Sequence, residues 1–106
     1  MMNSFKAAAV FVLAVSLAGP AFAQAPGADT YKAKCAMCHG ADGLAATPMG
    51  KNLKILSFKD PAQVKATNAQ LIKSTTDGKG KMPAYKGKLT DAQIKDVTAY
   101  IRSLQK

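Results

Sequence analysis

Apolar positions along the chain fall into one unbroken run followed by helix-spaced patches, and nowhere do they alternate as a half-buried strand would. The run, Ala7 to Ala18, follows Lys6 and is broken by Gly19 and Pro20 ahead of the small-x-small step Ala21-Phe22-Ala23. A basic start, a short apolar centre and a small-residue exit predict a secretory signal peptide over residues 1–23, cut after Ala23. At about 12 residues the run is too short for the ~20 that span a bilayer, which disfavours the alternative of a membrane anchor. Proline and not cysteine follows Leu17-Ala18-Gly19, so no lipidated N-terminus is indicated. Residues 24–106 are then expected to form a single domain in the periplasm, soluble once the leader is cut.

Beyond the lead Gln24-Ala25-Pro26-Gly27, Asp29 caps or enters a helix expected to reach about Cys38, with Tyr31 and Cys35 four apart on one face. Gly40-Ala41-Asp42-Gly43 is turn chemistry, and the loop is expected to continue through Thr47-Pro48-Met49-Gly50. Asp60 followed by Pro61 reads as a cap and the first residue of a short helix ending near Lys65. Thr67 and Gln70 form a capping box for a helix containing Leu71 and Ile72, which Gly78 ends near Asp77. A second box, Thr90 with Gln93, comes with a hydrophobic staple between Leu89 and Ile94. It opens a C-terminal helix on which Ile94, Val97, Ile101 and Leu104 recur at helical spacing beside Tyr100. Three or four helices and glycine-bearing loops make the predicted fold all-α.

Composition adds a size problem and a charge. Without its leader the chain is near the length at which a protein-only core is marginal, and a covalently held apolar group would enlarge that core. Fifteen Lys and Arg stand against six acidic residues, for a formal charge of +9, and the acids are all aspartate. A basic surface suits nucleic acid, an anionic membrane or an acidic protein. Export argues against nucleic acid, as does the lack of aromatics interleaved with the lysines. Part of the lysine content is a solvated coat.

The stretch that sets the chemistry is Cys35-Ala36-Met37-Cys38-His39, the C-x-x-C-H spacing that attaches c-type haem. Two thioethers need both sulfurs on one helical turn, and the next residue then offers an imidazole to iron from the same side. A structural disulfide or a redox dithiol is the competing reading, and zinc is weaker because its structural sites want four ligands. A backbone carbonyl in the following loop, with Pro48 the candidate, is expected to accept the other imidazole N–H. Later, Gly78-Lys79-Gly80-Lys81 leads to Met82-Pro83, where proline biases Met82 toward an extended backbone. A loop methionine is ordinarily core filler. Given a haem, it becomes a sixth ligand to iron, and His/Met ligation is an electron-transfer choice that raises the potential. Met49 is the rival, but at ten residues after His39 it is too close to the proximal side to cross over.

Together, Cys35-Ala36-Met37-Cys38-His39 and Met82-Pro83-Ala84-Tyr85 resemble the class I cytochromes c, most of all the short bacterial and photosynthetic kind, over nearly all of Gly27 to Lys106. Gly27 and Tyr31 stand where that family has an N-terminal glycine and aromatic, with Tyr100 as their C-terminal partner. The resemblance implies a small cytochrome c fold around one haem c, bound through Cys35 and Cys38 and ligated by His39 and Met82. It implies an exported one-electron carrier and not an enzyme, whose Lys79, Lys81, Lys86 and Lys88 guide docking onto acidic redox partners: an oxidase, a dehydrogenase or a reaction centre. A monomer is the default. Two other classes stay open: a haem peroxidase or ligand sensor with a labile sixth ligand, and a haem-free dithiol protein. The first lacks a second histidine or an arginine placed for peroxide cleavage.

Overall fold

The structure is a computed structural model and describes residues 25–106; the leader expected over 1–23 lies outside the described residues. Among the described residues six helices follow in order: α1 (Ala28–Lys34), α2 (Ala36–His39), α3 (Pro48–Asn52), α4 (Pro61–Lys65), α5 (Asn68–Asp77) and α6 (Asp91–Leu104). The fold is all-α as expected, with more and shorter helices than the three or four predicted.

Two departures explain the difference. The first helix is broken at Cys35, whose φ of −118° unwinds the backbone between α1 and α2, although its N–H still bonds to the Tyr31 carbonyl at 2.8 Å. The expected loop through Thr47 and Gly50 is instead α3: Thr47 caps it by accepting from the Gly50 N–H at 2.9 Å, and Pro48 takes the first helical position. Proline there loses no intrahelical bond, the same logic that starts α4 at Asp60-Pro61. Both capping boxes form as read, Thr67 with Gln70 on α5 and Thr90 with Gln93 on α6.

The core sits where the first long helix crosses the last. Tyr31, Cys35, Phe58, Val97 and Ile101 form one buried cluster, with Ala36, Tyr100 and Leu104 packed against it. Each buried aliphatic or aromatic side chain contributes roughly 1.5–3 kcal/mol. The crossing is close because position 27 has no side chain: a methyl there would lie 2.7 Å from the Val97 nitrogen and nearer still to the Asp96 carbonyl. Gly27 also takes φ +89°, a left-handed conformation that costs glycine little. The buried hydroxyls of Thr75 and Thr98 bond back to the Leu71 and Ile94 carbonyls, each at 2.9 Å, so neither is left unpaired in the core.

Candidate haem site

The attachment segment is held on three sides. Tyr31, 1% exposed, donates its hydroxyl to the Gly40 carbonyl at 2.6 Å, fixing the end of α2 against α1. Thr47 donates to the Cys38 carbonyl at 2.8 Å, which ties α3 to α2. The Ala45 N–H bonds to the His39 carbonyl at 2.8 Å and closes the turn that follows. Cys35 and Cys38 are both free thiols, one buried and the other half-buried. Burial, followed by the neighbouring Cys38, pushes the Cys35 thiol up to about 11.

His39 is half-buried, and burial lowers its pKa, which favours the neutral imidazole that binds a metal. Its buried Nδ1 has no hydrogen-bond partner among the described residues. The expected carbonyl support near Pro48 is therefore not made. Pro48 is instead the first residue of α3, so its carbonyl is directed along that helix's axis. The imidazole instead lies flat against Phe58, ring centroids 4.5 Å apart and planes inclined by 16°.

Met82 lies between α5 and α6 and is half-buried. Its loop is pinned at its base by paired bonds, Lys79 N–H to the Met82 carbonyl at 3.1 Å and Met82 N–H to the Lys79 carbonyl at 2.9 Å. Three residues on, the Tyr85 N–H bonds to the Thr75 carbonyl at 3.0 Å, and its hydroxyl donates to the Lys34 carbonyl at 2.9 Å. Tyr85 thus links the loop carrying Met82 to the residue just before Cys35. Its hydroxyl pKa is raised by burial, then by Cys35 and Cys38, consistent with that proximity.

The residues present fit a covalently attached haem. Two free thiols on one turn are followed at once by a neutral imidazole with an unpartnered buried nitrogen. The supporting roles of Thr47 and Phe58 were not evident from sequence. The Thr47-Pro48 step carried a helix-start signal, whereas nothing local marks Phe58, nineteen residues from its partner His39.

Fold and site define a small all-α protein built to carry one group covalently on two thiols. Residues 22–101 match the family described as cytochrome c oxidase, cbb3-type, subunit III. The chain is 38% identical to cytochrome c6 of a Picosynechococcus species, the alignment covering 94% of this chain and 92% of that protein. It is 37% identical to cytochrome c6 of a Nostoc species, over 88% and 81% of the two chains. Among solved structures, the c-type cytochrome KustC0563 superposes with a TM-score of 0.70 at 29% identity, covering 76% of this chain and 98% of that one. The chain belongs to the cytochrome c family, as a small class I c-type cytochrome. It is a monohaem electron carrier rather than an enzyme, with haem c bound covalently at Cys35 and Cys38. The dithiol and peroxidase readings of the motif fall with that result.

Proposed function

We propose that this cytochrome works outside the cytoplasm as a soluble single domain, residues 24–106, after loss of the leader over 1–23, with its iron held between His39 and Met82. The haem, when bound, supplies a ferric/ferrous couple. The polypeptide's part is to keep the ligands in place so that little rearranges when the electron arrives or leaves.

The observation that carries this reading is a half-buried His39, its imidazole kept neutral by burial, placed directly after two free thiols. The doubly pinned loop around Met82 supports the second ligand: held at Lys79 below and Tyr85 above, it has little freedom to swing away. Exposed Lys79, Lys81, Lys86 and Lys88 flank that loop and suit weak, fast docking onto acidic faces of an oxidase, a dehydrogenase or a reaction centre. Among the described residues no helix is long and apolar enough to cross a membrane.

The test is the optical spectrum of the purified haem-loaded protein, oxidised and reduced, beside Met82→Ala. A far-red methionine-to-ferric-iron band that vanishes in the variant establishes His39/Met82 ligation. A high-spin spectrum in the unmutated protein, with ready binding of cyanide or carbon monoxide, defeats it.

A further inference from the structure

We propose that Phe58 is the positioning residue for the His39 imidazole, its ring acting as the flat stop that sets the plane of the ligand. This rests on His39 being the iron ligand. The torsion that turns an imidazole about its own axis is broad and roughly two-fold, so the side chain's intrinsic preference does not select a plane. Metal-bound histidines usually have it selected by a hydrogen bond from the second nitrogen. In this protein that nitrogen has no partner among the described residues, and the ring contact with Phe58, at 4.5 Å and 16°, takes its place.

A stop works only if it cannot move, and Phe58 is fixed from every side. It is 6% exposed. Its N–H bonds to the Gly43 carbonyl at 2.9 Å, and its carbonyl accepts from the Gln105 side-chain amide at 3.0 Å. Tyr31 meets the ring tilted by 57°, centroids 6.4 Å apart. On another side Gly43 gives the ring its room, since a methyl at position 43 would lie 2.8 Å from Phe58 Cδ2. The backbone and the neighbouring rings thus hold the phenyl group, and the phenyl group holds the imidazole. Core filling alone would ask only for an apolar side chain of similar volume, and leucine or methionine would serve. Setting a plane requires a flat ring.

That difference is measurable in the ferric haem-loaded protein with cyanide displacing the sixth ligand: cyanide is axially symmetric, so the order and spread of the hyperfine-shifted haem-methyl NMR signals report the orientation of the axial imidazole. Phe58→Leu is expected to change that order, Phe58→Tyr to keep it, and Phe58→Met to behave as leucine does should the leucine variant fail to accumulate. Ile101→Val, which removes a methyl group from the same cluster, is the control: it should lower the thermal midpoint and leave the signal order unchanged. A native pattern in Phe58→Leu or Phe58→Met overturns the inference, as does an equal disturbance in Ile101→Val. If the His39 ring protons are absent from the shifted set in the unmutated protein, the ligand reading fails first and takes this one with it. That failure is recognisable before any variant is made.

Discussion

The Tyr31 hydroxyl, buried and bonded to the Gly40 carbonyl, gives one atom two consequences. Tyr31→Phe removes one of that carbonyl's two donors, the Gly43 N–H at 3.1 Å remaining, and should cost about 1 kcal/mol in denaturant unfolding. The second consequence is a pH dependence. Burial is the main cause holding the Tyr31 pKa above the ordinary 10.0, with Tyr100 and Asp42 adding to it. The unfolded chain therefore loses this proton at lower pH than the folded one, so the stabilisation is complete below pH 10.0 and is lost as pH rises above it. Stability compared at about pH 7 and about pH 11 should fall less steeply in Tyr31→Phe than in the parent, and equal slopes would refute the assignment. Tyr31 was legible in the sequence because it stands four residues before Cys35 on a helical face. Phe58 was not, because a side chain that meets its partner only through tertiary packing leaves no periodic or capping signature.

At the scale of elements, the α1–α6 crossing and the seat of α4 each hang on one residue. Gly27→Ala must fit a methyl against the Asp96 carbonyl and the Val97 nitrogen at φ +89°, and should destabilise by about 2 kcal/mol or more. A thermal midpoint equal to that of the parent would show that the two helices part at no cost. Arg102, the chain's lone arginine, reaches from α6 to the Gln63, Val64 and Ala66 carbonyls at the end of α4 and bonds the Asn68 side chain at 2.8 Å. Lysine cannot reproduce that fork, so Arg102→Lys should cost about 1–2 kcal/mol and speed amide exchange at Ala66; unaltered exchange would mean α4 stands without it. The starts of α4, α5 and α6 could be read beforehand because Asp-Pro and Thr-x-x-Gln chemistry is local. The same local logic at Thr47-Pro48 pointed to α3, but the glycine-rich turn just before it favoured a continuing loop. The break at Cys35 and the unpartnered His39 nitrogen had no sequence signal, since both depend on how α1, α2 and α3 meet. The Tyr85 tie to Lys34 spans 51 residues and is likewise a product of the finished fold.

Taken whole, the molecule is a strongly basic body with few internal ion pairs to consume its charge; among the described residues Lys73 and Asp77 make an exposed one at 3.3 Å. Electron transfer to an acidic partner should therefore slow as salt is raised from about 10 mM toward 300 mM, the range over which screening shortens from roughly 30 Å to below 8 Å. Stopped-flow rates that do not change over that range would rule out steering by Lys79, Lys81, Lys86 and Lys88. The α1–α6 crossing also has a consequence in time. A chain made from its N-terminus presents α1 long before the fourteen residues of α6 exist to cover it. Through that interval Cys35 and Cys38 lie on an open segment; once the last helix docks, Cys35 is 8% exposed. Synthesis order thus gives Cys35 a period of access that the completed fold closes, and the final helix acts as a latch as well as a wall.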